Sequence, residues 1–320
     1  LEESGAAENT IVFYFSDHGG ALPRGKRNIH DTGTRVPLII RSPEKWEHLA
    51  PKTKNDNGIA QQLVAFVDFP ATVVNLCGLK IPDIWEGKPF LGPNAQERDF
   101  VYLYRGRMDE RYDTVRAIRT KWQLYVRNFS PHRPLGQAYT YPFRVLASMG
   151  SWYEAFKAGK CNELQSRYWK PKGGIEFYQT AYDRLQVLDA FRRDPKKGFE
   201  ATLKMLRRRE QDGVPVSSSG FAEAEAALMA KLLDPAARDT GLVPEGLGVR
   251  LAAEGTLYDY VKGIPAEEWK KVCSAAMAAS IATSRDVPRL LPDLDSGSPL
   301  VRYWAATGAL IIGKEAAPLK

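Results

Sequence analysis

Cysteine is scarce. Three residues in 320, at positions 77, 161 and 273, are too few and too far apart for a disulfide framework or a zinc site. They leave the redox compartment open. Cys77, inside the apolar run VVNLCGL, is expected in a core. Long hydrophobic runs are also missing. The longest lies around Val36–Ile40, far short of a membrane span. There is no arginine-rich tail, no zinc-finger spacing and no RNA-binding aromatic motif, which makes nucleic acid a minor reading. The formal charge of +7 suits anionic substrates, nucleic acid or an acidic surface without choosing among them, and most of these charges are expected to be solvated. No signal peptide is present. The opening LEESGAAENT reads as the last turn of a helix running into a strand, so the start is expected to be a break inside a domain. What is present is ordinary for a globular chain: 44% hydrophobic and 11% aromatic residues, with room for two modest domains.

Thr10–Phe15 (TIVFYF) is a β-branched and aromatic run ending in Ser, Asp, His, Gly and Gly, which reads as a buried strand entering a loop. Val36–Ile40 is a second such strand, and the long polar stretch between them is of the kind that carries function. Gln61–Leu76 has helical spacing, with Pro70 marking a kink or a new first turn. Strand and helix alternating in this way predict a mainly parallel sheet with covering helices. Phe100–Tyr104 and Val115–Val126 predict a small antiparallel sheet, with a hairpin turn at Thr120-Lys121. Ser130–Gly174 predicts irregular structure with one helix near Tyr153–Lys157. Phe191–Gln211 predicts a charged helix. Composition shifts at Asp212–Gly220, and alanine and leucine dominate beyond it. Phe221–Leu233, Ala266–Ala282 and Leu300–Ile312 read as helices. The turn DSGSPLVR followed by YWAA resembles HEAT-like helical repeats, few and imperfect, with a C-terminus that could also be truncated.

The sharpest chemical feature is Ser16-Asp17-His18-Gly19 after the first strand. Ligands of open α/β sheets bind beyond the carboxyl ends of strands. Asp17 is a hard oxygen donor suited to calcium or magnesium, and His18 a less typical one. The plain alternative is a turn in which Asp17 caps local amides. Arg24, Lys26 and Arg27 follow in the same loop. A lysine near a bound metal adds charge for an anion's oxygens and can stabilise a leaving oxygen. Gly25 and Gly33 let backbone approach closely. Arg35 is expected to be structural, pairing with Asp31. His30 and His48 carry no comparable spacing signal, and His132 is expected at the surface.

TIVFYFSDHGG and GKRNIHDTGTRVPLIIRSP resemble the second signature region of the sulfatases, within the alkaline phosphatase superfamily. LVAFVDFPATVVNLCGLKIPDIWEGKPFLGP is similar to the helix and loop that follow. RDFVYLYRGRMDERYDTVRAIRTKWQLYVRN resembles the C-terminal subdomain sheet, and EFYQTAYDRLQVLDA is a looser likeness to the closing segment. The resemblance implies that Asp17 and His18 belong to a calcium site and that Lys26 contacts sulfate. It implies a formylglycine nucleophile made from a C/S-x-P-x-R motif. That motif does not occur in the 320 residues, and neither does the early Asp-Asp pair of the metal site. This chain alone is therefore expected to be inactive. The family's subdomain borders the substrate cleft, so Arg107, Asp109, Arg111 and Tyr112 could meet a sugar ring or acidic group. The alternative for them is outward-facing strand charge.

The fold expected is α/β, in three parts. Residues 1–98 form part of a sulfatase-type mixed sheet with covering helices, 99–212 a subdomain with a small antiparallel sheet, and 213–320 an α-helical repeat tail. The leading function is sulfuric-ester hydrolysis on a sulfated carbohydrate or small molecule, with no nucleic acid and no membrane span. A phosphoryl or phosphonate ester hydrolase of the same superfamily is the nearest alternative, since tetrahedral dianions make similar electrostatic demands. A non-catalytic interaction module built on the helical tail is the third, and the tail could dock a protein in any case. The resemblance implies a periplasmic, secreted or lysosomal location.

Overall fold

The computed structural model describes residues 1–51, 55–108, 110–181, 183–187, 220–236, 238–244 and 257–319. The helix expected over Phe191–Gln211 and the boundary expected from Asp212 lie outside them. The architecture is α/β, with two antiparallel sheets and helices. No helix among the described residues is long and apolar enough to cross a membrane.

β1 (Val12–Phe15) and β2 (Leu38–Arg41) form from the two β-branched and aromatic runs. They pair antiparallel, Val12 opposite Arg41 and Phe15 opposite Leu38. A parallel pair needs a crossover, usually a helix of several turns. The segment joining these strands holds only the one-turn α1 (Asp31–Thr34), so the chain doubles back on itself. The expected parallel pairing is corrected on that ground. Tyr14 and Ile39 face each other across the pair and stay 67% and 61% exposed.

The next helix, α2, runs over Asp68–Leu76 rather than from Gln61. Pro70 falls in its first turn, where a missing N–H costs nothing. Asp68, Thr72 and Asn75 lie on one buried face at helical spacing. Asp68 accepts from Lys88 N at 2.8 Å, Thr72 Oγ1 from Phe90 N at 3.1 Å, and Asn75 donates to Leu91 O at 2.7 Å. Three polar side chains thus stitch the GKPFL segment to the helix. Cys77 follows the last turn and is exposed, not in the core as expected.

The second sheet has the order β3 (Phe100–Met108), β4 (Arg111–Thr120), β5 (Gln123–Asn128), β6 (Ile175–Gln179). The expected turn at Thr120-Lys121 joins β4 to β5. Before β6 the chain makes α3 (Thr140–Val145), α4 (Ala147–Lys157) and α5 (Glu163–Arg167), where one helix was expected. These pack through Met149, Tyr168 and Trp169.

Period-two alternation divides this sheet into two buried faces. Val115, Ala117, Leu124, Val126 and Tyr178 lie on one, joined by Ile29 from the loop between β1 and β2. Ile118, Tyr125 and Phe177 lie on the other and, with Phe129 just beyond β5, pack against helices. Those are α6 (Gly220–Leu233), α7 (Leu257–Gly263), α8 (Ala266–Ala279) and, after α9 (Val287–Leu294), α10 (Pro299–Ile312). α10 packs on both α8 and α9. Trp269 donates to Leu232 O at 2.8 Å and Trp304 to Leu242 O at 2.9 Å, so both buried indoles are satisfied. The helical region shares one hydrophobic core with the sheet.

Candidate active site

Asp17 and His18 stand immediately beyond β1, and the loop that follows is unusually tight. Lys26 N donates to Gly20 O at 2.8 Å and Gly19 N to Gly33 O at 2.9 Å. A Cβ on Gly19 would strike the Thr32 carbonyl, and one on Gly33 the carbonyls of Asn28 and Gly25. Only glycine fits where backbone meets backbone so closely. Arg24 and Arg27 take left-handed backbone, φ 60° and 76°. Such conformations cost about 1–3 kcal/mol each and persist where the surroundings hold them.

Asp17 is 83% exposed at its side chain, and its Oδ1 accepts from His18 N at 3.0 Å. The amide-capping alternative is thus present. It uses one carboxylate oxygen. His18 Nδ1 lies 2.8 Å from Gly19 O, and since a carbonyl only accepts, that nitrogen carries the proton. In the neutral ring the Nε2 lone pair then faces Asp17 Oδ2 at 3.4 Å. Fixing one imidazole nitrogen on a carbonyl while the other faces a carboxylate suits a bridging cation. The donors fit a divalent cation in kind. In number they are two, and among the described residues no cluster of three or more His, Cys, Asp or Glu side chains gathers to hold a metal. Calcium takes six to eight oxygen ligands.

The stretch Asn28–Asp31 lies across the first face of the four-stranded sheet. Arg105 donates to Asn28 Oδ1 at 3.3 Å, Ile29 enters the apolar cluster, and Arg119 grips Asp31 through two bonds of 2.9 and 2.8 Å. Arg119 is therefore the side-chain partner of Asp31, because the sheet brings it opposite, while Arg35 adds its charge and a backbone N–H to Asp31 O. His30 is 2% exposed, with Nε2 3.5 Å from Glu176 Oε2. Glu176 also accepts from Asn128 at 2.7 Å and Tyr178 at 2.6 Å. Burial, then the charge of Arg24, holds the His30 pKa below its ordinary value. Burial opposes ionisation of Glu176, but His30, by hydrogen bond and charge, and then Tyr178 and Asn128 outweigh this and bring it to about 2. Arg24 completes the clamp, donating to Leu185 O at 3.0 Å and Gln186 O at 2.8 Å.

Lys26 Nζ lies 5.2 Å from the Tyr141 ring centroid, at the side of the loop that faces α3. The residues expected to meet a sugar are spread more widely. The Tyr112 hydroxyl is buried against Gly241 O at 3.1 Å, and Arg111 donates to Ala138 O at 2.8 Å, next to Tyr139. Arg107 sits at the end of β3 opposite Tyr112, and Asp109 lies outside the described residues. His132 is half-buried, and burial with Arg133 and Lys172 nearby lowers its pKa. His30, Glu176, Arg105 and Arg119 escaped sequence reasoning as site residues. For Arg105 a signal existed: it continues the alternation of Val101 and Leu103 onto the covered face. A lone histidine whose partner is distant in sequence offers none.

This loop can be set beside known proteins. Residues 1–79 match the sulfatase family model. An ulvan-active sulfatase of Formosa agariphila is 36% identical over 174 residues, which are 53% of this chain and 27% of that protein. The N-acetylglucosamine-6-sulfatase of Bos taurus is 31% identical over 86 residues, 25% of this chain and 14% of that sulfatase. The chain spans about a quarter of the length of the first of these sulfatases. The solved structure of a 2-O GAG sulfatase aligns with TM-score 0.41 at 18% identity, over 66% of this chain and 37% of that one.

Proposed function

We propose that the whole protein is a sulfuric-ester hydrolase acting on a sulfated carbohydrate, and that this chain supplies part of its anion-binding site. One observation carries the reading: the stretch that matches the sulfatase family holds Asp17, His18 and Lys26 together in one glycine-locked loop. Relatives named for sulfated sugars support the substrate class. The exposed Tyr14–Ile39 pair supports a larger catalytic unit, since a two-stranded sheet is marginal alone and such an apolar face is normally covered.

Asp17 and His18 would hold a calcium ion together with ligands from elsewhere in the whole protein, and that ion would supply positive charge to the sulfate oxygens. Lys26 would set an ammonium beside those same oxygens, where charge grows as the ester bond breaks. The sheet fixes the loop through Asn28, His30 and Asp31, so Lys26 is held in place before substrate arrives. The nucleophile would come from a C/S-x-P-x-R motif outside these 320 residues. The helices are read as HEAT-like, on the strength of the Ser296–Pro299 turn that opens α10.

The test is sulfate release by the whole protein from a sulfated saccharide, with and without a calcium chelator. Chelation is expected to abolish turnover, with recovery on added calcium. Asp17→Ala is expected to raise the calcium concentration needed. Turnover indifferent to both would remove Asp17 and His18 from the site.

A further inference from the structure

The loop after β1 fixes the backbone of Lys26 but not its ammonium. Lys26 N donates to Gly20 O at 2.8 Å, Asn28 N to Gly25 O at 3.0 Å, and Asn28 Nδ2 to Lys26 O at 3.3 Å. A Cβ on Gly25 would strike the Gly20 carbonyl, so the residue before the lysine has to be glycine. Beyond Cα the lysine is a flexible four-carbon stem, and a pinned backbone alone leaves its charge free to sweep. Fixing the charge takes a contact at the far end.

Tyr141 makes that contact. Its ring centroid lies 5.2 Å from Lys26 Nζ, within the range of a cation–π interaction. Arg27 Cζ lies 5.6 Å from the same ring and 5.2 Å from that of Tyr139. The ring is itself anchored. Thr140 N donates to Glu110, Pro142 is buried, and Phe143 sets its ring 6.2 Å from Trp169 and 6.1 Å, edge-on, from Tyr153. Tyr141 is left on the outer side of α3, 45% exposed, beside a half-buried lysine. Among the described residues no carboxylate forms an ion pair with Lys26. A carboxylate would hold an ammonium more firmly, but it would cancel the charge and would have to be displaced by an arriving anion. An aromatic face attracts a cation through its quadrupole and adds no net charge. The ammonium N–H groups that point away from the ring stay available as donors.

We propose that Tyr141 is a positioning residue whose ring holds the Lys26 ammonium in place for the sulfate ester while leaving its charge and donors free for the sulfate oxygens. The inference rests on the reading of Lys26 as a sulfate-contacting residue. Tyr141 acts through the lysine and not on the sugar, so its effect falls on the step in which negative charge develops rather than on substrate affinity.

Two measurements on the whole protein test this. The first needs no turnover. Reductive methylation with isotopically labelled formaldehyde gives each lysine a dimethylamino signal and keeps its positive charge. The Lys26 signal is identified by its loss in Lys26→Arg. In the parent and in Tyr141→Phe it is expected upfield, by ring current, of its position in Tyr141→Leu. The second is sulfate release from a sulfated saccharide by the parent, Tyr141→Leu, Tyr141→Phe, Lys26→Ala and the double variant Lys26→Ala/Tyr141→Leu, each beside a thermal melt. Tyr141→Leu is expected to lower kcat about threefold to thirtyfold with KM little changed, and Tyr141→Phe to recover most of that loss. Once the lysine is gone, losing the ring is expected to cost nothing further. A Lys26 signal at the same position in the parent and in Tyr141→Leu would overturn the proposal. So would a kcat loss of equal size in the Lys26→Ala background, or a rise in KM alone, which would make the ring a platform for the sugar. If Tyr141→Leu fails to fold, Tyr141→Gln, polar at this exposed position, takes its place. Parental turnover in Lys26→Ala would sink the reading of Lys26 and the proposal with it, whereas loss there without loss in Tyr141→Leu sinks the proposal alone.

Discussion

Arg105, Arg116, Arg119 and Arg127 alternate along β3, β4 and β5, and each reaches a partner across a covered face. Arg105 and Arg119 hold the loop that carries Lys26. Arg116 pairs with Asp239, and Arg127 donates to Ser280 Oγ at 2.9 Å. These largely buried arginines latch the sheet to what covers it on either face. The His30–Glu176 contact is the most pH-sensitive of these links. The His30 imidazole is held below its ordinary 6.5, so unfolded chain takes up a proton that folded chain refuses. Its contribution to stability is present above pH 6.5 and lost as pH falls below it. Glu176, depressed from 4.5 to about 2, acts in the same direction at lower pH: its share is present above 4.5 and fades toward 2. Denaturant midpoints measured on either side of pH 6.5 are expected to fall with acid, and His30→Gln is expected to flatten that fall and, because His30 is the chief partner holding Glu176 down, to shrink the loss below 4.5 as well. An unchanged slope in His30→Gln would exclude it as the titrating group.

At the scale of elements, the sheet is a shared wall between the loop and the helices. Arg116 and Asp239 form its principal ionic tie to the helical side, with Asp239 also accepting from Gly241 N at 2.8 Å. Burial works against the Arg116 charge, yet Asp239 raises its pKa on balance. Asp239→Ala leaves that guanidinium buried and unpaired, which is expected to cost about 3–5 kcal/mol in urea denaturation. A loss near zero would mean that water reaches Arg116. Strands β1 and β2 were legible because TIVFYF and VPLII are β-branched, aromatic and bounded by turn residues. Their direction was not, since pairing depends on how the intervening loop folds. The hairpin at Thr120-Lys121 was legible from alternation on both sides. β6 was not: IEFYQ is short and carries a glutamate whose partners, His30 and Asn128, come from distant parts of the chain. Among candidate site residues, Asp17, His18 and Lys26 could be singled out because they follow one strand closely. The clamp beneath them could not, because it is assembled by tertiary contact.

At the scale of the whole molecule, the helical region cannot be removed cleanly. Ile118, Tyr125, Phe129 and Phe177 would lose their cover, and Arg116 and Arg127 their partners. Deleting residues 220–320 is expected to yield protein that aggregates or loses its near-ultraviolet dichroism. A soluble product with the parent melting temperature would show that the sheet is stable without its helical layer. The 320 residues hold no C/S-x-P-x-R motif, so the proposed hydrolysis is to be tested on the whole protein. There the most direct measurement is steady-state sulfate release by the parent and by Lys26→Ala, each beside a thermal melt. An exposed lysine is worth roughly 0–1 kcal/mol to stability, whereas a donor aimed at developing charge is worth about a hundred- to a thousandfold in rate. The expected result is a melting temperature nearly unchanged, turnover lower by about that factor, and only partial recovery in Lys26→Arg, whose planar group cannot occupy the same point. Near-parental turnover in a folded Lys26→Ala protein would contradict the account, because the loop would then be holding its lysine for something other than the sulfate ester.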